Sequence, residues 1–229
     1  MTDQQQQKLQ KQRLQCRNKF LKKFPEGFND PKYIEQIRDK KWRAHEMFQL
    51  LLNRKEFERM LGEEDYSSIA KNAITVETGT HLLVPSEESA LKEISKSVEN
   101  AKSFATGLFN SLYSNLNVKE RFEKFRETLS SFSKKQKQLV TWPMQTAFTF
   151  LGNPEHYIFI KPAVTRAAAK SYGFDFFYEP RPNWNTYQSV YSFANQIRED
   201  ISDLNPKDFI DLQYFMQVIG SGKTTNSKK

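Results

Sequence analysis

Apolar residues recur three and four positions apart through nearly every segment of this chain, and that period is what most restricts its fold. Ile34, Ile37, Ala44, Phe48 and Leu51 share it, as do Leu91, Ile94, Val98, Ala101, Ala105, Leu108 and Leu112, and again Phe209, Leu212, Met216 and Ile219. Such spacing lines up one face of a 3.6-residue helix and leaves the other face to solvent. The chain also holds only 8 glycines but 19 phenylalanines. Few glycines mean few tight turns, and many phenylalanines mean bulky packing between elements. The expected fold is therefore mostly α, with about nine helices in two helical layers around a Phe-rich core and little or no β structure.

Local signals set the boundaries. Asp30 followed by Pro31 marks a helix start, because Asp caps free backbone N–H groups and Pro suits the first helical position. Asn117 and Asn183 have the same capping chemistry, and Ser86 and the Asn205-Pro206 pair read as further starts. Gly62 and Gly173 read as helix ends. A short helix is expected over 66–73, and residues 75–85 (TVETGTHLLVP) form the best candidate for extended structure. The stripe from Leu91 to Leu112 predicts one long helix or two broken near Gly107. These signals divide the chain into a basic helix or arm over 1–24, a helical part over 25–133, a basic link at 134–137, a second helical part over 139–220 and a disordered tail over 221–229.

The net charge of +8 is concentrated at the ends. Residues 1–24 contribute +6 (seven Lys or Arg against Asp3) and 221–229 contribute +3, so the body is nearly neutral. Residues 118–141 carry a local excess of +4. One reading is a polar surface with basic ends. The other is a basic arm that holds phosphates through counterion release, adding affinity without selectivity. Cys16 is the single cysteine, which excludes an internal disulfide and fits a reducing cytoplasm. No run is long and apolar enough to span a bilayer.

Few constellations carry chemistry. The sequence GSGKTT at 220–225 imitates a phosphate-binding loop, yet the position that needs the first glycine is Gln217, and a helix rather than a strand precedes it. His45, His81 and His156 are scattered, so no metal or other cofactor is expected. Asp211 is flanked by Ile210 and Leu212 on a helix that is apolar nearly all round. It therefore needs an internal partner such as an arginine, or else serves a site. Between two glycine-ended helices lies a link ending in Lys161-Pro162. Lys161, Arg166 and Lys170 read either as surface cations or as a phosphate-facing edge, with Trp142, Tyr157 and Phe159 as a base-stacking wall. Ala163, Ala167, Ala168 and Ala169 would let that helix approach another backbone closely.

Residues 139–220 resemble the helix-hairpin-helix DNA glycosylase core. The likeness lies in Thr146-Ala147 and Phe150-Leu151 for its first helix, Phe159 for the extended link, Thr165-Arg166 through Gly173 for the second helix, and 209–220 for a final helix ending in glycine. The family's hairpin glycines are replaced here by Trp142-Pro143-Met144, and its catalytic aspartate would fall at Lys161-Pro162. The C-terminal half also resembles bacterial proteins that have no assigned role. The resemblance implies a protein that binds duplex DNA, of a repair or phage-defence kind, acting on a flipped base. In such an enzyme Lys161 would be the amine nucleophile and Asp175 the nearest base. The alternative expectation is a non-catalytic helical module that binds nucleic acid or a protein partner.

Overall fold

A computed structural model describes residues 2–132 and 139–221. The basic link at 134–137 and the tail from 222 onward, with most of the GSGKTT sequence, lie outside the described residues. Among those residues there are eleven α-helices and no strand. They are α1 (Asp3–Lys23), α2 (Pro31–Tyr33, then a π-helical turn over Ile34–Arg38, then Asp39–Leu51), α3 (Arg54–Gly62), α4 (Tyr66–Glu77), α5 (Pro85–Ile94), α6 (Val98–Tyr113), α7 (Val118–Ser131), α8 (Trp142–Gly152), α9 (Pro162–Tyr172), α10 (Trp184–Asp200) and α11 (Phe209–Gly220). None is long and apolar enough to cross a membrane.

The caps read from sequence act as such. Asp30 accepts the Lys32 N–H at 3.0 Å, Asn117 accepts Glu120 N–H at 3.0 Å, and Asn183 accepts Thr186 N–H at 2.9 Å. Gly173 ends α9 in the left-handed region at φ 70°.

Four boundaries differ. Residues 75–77 belong to α4, because Ile69, Ala73 and Val76 carry its buried stripe past the β-branched pair Thr75 and Val76. Residues 78–84 form a turn and an irregular link, and Pro85 opens α5. In α5 the cap is Val84, whose N–H donates to the Glu87 carboxylate at 2.9 Å, so Ser86 lies inside the helix. The break before α6 falls at Ser97, which caps it, and Gly107 is buried mid-helix against Thr128. The last helix starts at Phe209, and Asp208 is its cap.

The helices pack in two sets that touch directly where α7 meets α10, while α2 and α8 pack against the second set and Arg38 of α2 reaches α11. One comprises α1, α9, α10 and α11. The other comprises α4, α5, α6 and α7, with α3 alongside. The buried side chains form one contiguous core running from Cys16 to Ile219, so 25–133 and 139–220 do not have separate cores. The expected alanine-mediated approach occurs between α9 and α11. A Cβ placed on Gly220 would meet the Val164 carbonyl oxygen at 2.5 Å. Gly220→Ala should therefore cost about 1–3 kcal/mol, since the obstructing atom is backbone and cannot rotate away. Gly62→Ala faces open space and should be neutral or stabilising by up to about 1 kcal/mol. Urea denaturation of the two variants separates these outcomes, and equal midpoints would contradict the close approach.

The N-terminal segment is not a free arm. Cys16, Phe20 and Phe24 are buried, and Phe20 packs 4.7 Å from Phe28 and 5.2 Å from Phe215 between ring centroids. Four of its seven cations are used internally. Arg13 pairs with Asp200 at 3.0 Å, Arg17 with Asp203, Lys19 with backbone carbonyls at the end of α11, and Lys23 with the Tyr214 hydroxyl at 2.8 Å. Burial pushes the Cys16 thiol up to about 11, against partial opposition from Lys19, as suits a packing residue.

Asp211 has the internal arginine its surroundings demand. It is fully buried. One carboxylate oxygen accepts from the Tyr33 hydroxyl at 2.6 Å and from Arg38 Nη1 at 2.7 Å, and the other accepts from the Lys207 N–H at 2.8 Å. Arg38 also grips Asp208 bidentately, at 3.1 and 2.6 Å. The π-turn makes this possible. Residues five apart on an α-helix point about 140° apart, whereas a π-turn, hydrogen-bonded from i to i+5, brings Tyr33 and Arg38 round to one carboxylate. Burial raises the Asp211 carboxyl above the ordinary range, opposed chiefly by Arg38. Two carboxylates and one guanidinium, with the groups that ring them, hold α2 to α11. This is a structural ion network.

Candidate ligand-binding cavity

The residues expected to act together fall in three separate places. Trp142 is 1 % exposed, and its indole N–H donates to the Glu179 carbonyl at 3.1 Å. Phe159 is buried against Phe150, at 6.0 Å between centroids. Trp142 is enclosed in the core, and Phe159, 2 % exposed, borders only a small separate cavity, so neither stands beside Tyr157 in a stacking wall. Lys161 is exposed at the start of α9, and Asp175 is exposed beyond its far end. The 11 residues of α9 separate the two by about 16 Å, too far to share one reacting centre. Arg166 and Lys170 lie on an exposed face beside Phe174 and Phe176, with the Arg166 guanidinium over the Tyr178 ring at 5.1 Å. Of the expected stacking wall, Tyr157 is the member that is partly exposed.

Tyr157 belongs to a different and larger cavity, of about 820 Å3. Its floor and one wall come from α10. Once Asn183 fixes the first turn, Trp184, Tyr187 and Tyr191 fall at i, i+3 and i+7 on one face. Trp184 and Tyr187 lie nearly parallel, at 5.5 Å and 24°. The end of α6 supplies Tyr113, the start of α7 supplies Arg121, and the turn after α8 supplies His156 and Tyr157. Two hydrogen bonds hold the rim. Tyr113 donates its hydroxyl to the Leu52 carbonyl at 2.6 Å, and Gln49 donates to the Gly152 carbonyl at 2.8 Å. Burial pushes the Tyr113 phenol up to about 12 and that of Tyr187 further still. These rings therefore stay neutral hydrogen-bonding walls at physiological pH.

The polar groups of the cavity are cationic or neutral. Among the described residues no Asp or Glu lines it, while Arg54, Arg121 and His156 do. Arg121 lies over the Tyr157 ring at 5.8 Å and donates through Nη1 to the Leu112 carbonyl at 3.1 Å, yet its Nε is buried without a partner. Beneath it a narrow recess is shared by Arg121, Tyr157 and Tyr187 and reaches Gln145. Gln145 is 3 % exposed. Its amide nitrogen donates to the Phe122 carbonyl at 2.9 Å, which fixes the carboxamide orientation and leaves Oε1 buried and unpaired. An unpaired buried donor and acceptor each cost about 1–3 kcal/mol, so groups that satisfy them from within the cavity bind with that cost relieved. Chemically the site suits a flat aromatic ligand with an anionic substituent: rings to stack on, an arginine for the charge, and a buried donor and acceptor at the inner end.

Sequence reasoning did not find this site. Of the aromatic and arginine residues that line it, the sequence singles out only Tyr157. The available signal was residue type, since Trp and Tyr pair an apolar body with a polar handle where a plain core stripe would use aliphatics. In comparisons with known proteins, no family model, curated protein or solved structure matches this chain. Among the described residues no cluster of His, Cys, Asp or Glu could hold a metal ion.

Proposed function

We propose that this protein is a non-catalytic helical nucleic-acid-binding module that takes one unstacked base into the aromatic cavity. The observation that carries this reading is the composition of that cavity, with Trp184, Tyr157, Tyr187 and Tyr191 around Arg121 and no carboxylate in the lining. Base stacking on aromatic side chains tolerates any base, because each has a π-face, and arginine adds attraction to the phosphate. The resemblance to the helix-hairpin-helix glycosylases supports DNA as the ligand. It does not support base excision, since Lys161 and Asp175 lie apart from each other and neither lines this cavity.

The test is fluorescence anisotropy with dye-labelled oligonucleotides, single-stranded and duplex with one unpaired base. Trp184→Ala should weaken binding by about 5–150-fold, the equivalent of the 1–3 kcal/mol typical of one stacked base. Lys170→Ala, on α9 and outside this cavity, should change it little. Unaltered affinity in Trp184→Ala, with an unaltered melting temperature, would remove the cavity from the binding site.

A further inference from the structure

A second cavity, of about 270 Å3, lies between α2, the turn after α4 and the start of α9, and it shares no lining residue with the aromatic cavity. Its cations are Lys40, Lys41 and Lys161, with His81 beside them, and among the described residues no carboxylate lines it. Lys40 and Lys161 are exposed, so they can follow a ligand at the mouth, whereas Lys41 is half-buried. Among the described residues Lys41 makes no ion pair. A second observation points into the same space. Gln213 is 5 % exposed and lines the cavity, and its Oε1 is buried without a hydrogen-bond partner.

We infer that this cavity binds a small anionic aldehyde or ketone, a carboxylate or phosphate ester, with Lys161 and Lys40 holding the anion and Lys41 condensing with the carbonyl to an imine. The chemistry needs an amine that is uncharged part of the time, next to a fixed positive charge that selects an anion. Desolvation first, and the Lys161 charge second, push the Lys41 ammonium down to about 8, with Glu77 opposing. At neutral pH Lys41 is then a free amine in a far larger share of molecules than an ordinary lysine is. A lysine desolvated beside a second cation is a known route to an amine nucleophile at neutral pH. The Nζ lone pair adds to the carbonyl carbon, forming the C–N bond, and a proton passes from nitrogen to oxygen to give a carbinolamine. Loss of that hydroxyl as water leaves the C=N bond. Gln213 Oε1 is the acceptor left over for a ligand or carbinolamine O–H.

The experiment uses the full chain with two probes, glyoxylate and pyridoxal 5′-phosphate, each followed by borohydride, which delivers hydride to the imine carbon and makes the adduct permanent. Peptide mass mapping then locates the label. The expected result is a predominant adduct at Lys41, with labelling slowed by about fivefold or more in Lys161→Gln, because the anion loses its nearest fixed charge. An uncharged probe, propionaldehyde, should keep the advantage of the free amine at Lys41 but show no slowing in Lys161→Gln, since it carries no anion for that charge to hold. Lys41→Gln, checked for an unchanged melting temperature, should lose the adduct and keep oligonucleotide binding. Label spread over exposed lysines such as Lys8, Lys11 and Lys22 with Lys41 unmodified would overturn the inference. So would Lys41 labelling that is indifferent both to probe charge and to Lys161→Gln.

Discussion

Replacing Arg38 with methionine is expected to destabilise the protein by about 3–5 kcal/mol, because it leaves two buried carboxylates without their counter-charge. Asp211 has no exposure and Asp208 almost none, so water cannot take over from the guanidinium. The loss should depend on pH with a definite sign. The folded Asp211 carboxyl already lies above its ordinary value, so the folded state holds that proton more tightly than the unfolded chain. Its contribution to stability is greatest at acid pH and is lost as pH rises through the folded value. Without Arg38 the Asp211 carboxyl is pushed further up, because the charge that opposes its burial is gone, and that widens the window. Urea denaturation at pH 5 and pH 8 should therefore show Arg38→Met closer to the wild type at pH 5. Adding Asp211→Asn to Arg38→Met should recover part of the loss, since it removes one of the stranded charges. A loss below about 1 kcal/mol at both pH values would mean that solvent reaches the network and that it does not clamp α2 to α11.

Removing residues 1–24 is expected to abolish cooperative unfolding altogether. The deletion takes out Phe20 and Phe24 and uncovers Tyr33, Tyr214 and Phe215 behind them. One buried Phe→Ala change costs about 3–5 kcal/mol, and domains have only about 5–15 kcal/mol to lose. Phe20→Ala alone should thus consume much of the stability. Neutralising the exposed Lys8, Lys11 and Lys22 together should change it by about 0.5 kcal/mol per site or less. Circular dichroism during heating, with dye binding to report exposed apolar surface, distinguishes the two outcomes. A truncated chain that melts cooperatively at the wild-type midpoint would show that α1 is an appendage rather than core.

What was legible in the sequence was whatever depends on neighbours along the chain. The caps at Asp30, Asn117 and Asn183, the left-handed Gly173 and the alanine face of α9 are decided within a few residues, and each could be read directly. Position 75–77 misled because β-branched residues favour strands only when nothing longer competes, and the stripe of α4 competes. Partners distant in sequence left no such trace. That Asp211 wanted a cation was evident from its apolar neighbours, but Arg38 lies 173 positions away, and only the folded chain shows that a π-turn aims it correctly. The cavity was hidden for the same reason, since its walls come from six segments, and Trp142 and Phe159, in sequence as suitable for stacking as Trp184, are used up in the core.

The seating of α1 against α11 also bears on when this molecule can fold. Phe20 meets Phe215, so the first helix has no finished partner until about 200 further residues have been synthesised, which takes about 10–40 s at common elongation rates. During that time Phe20 can meet Phe28 and Tyr33, but the part of the α1 face that seats on α11 stays uncovered. Nascent chains stalled before α11 should therefore bind a general chaperone through α1, and release should coincide with the exit of the final helix from the ribosome.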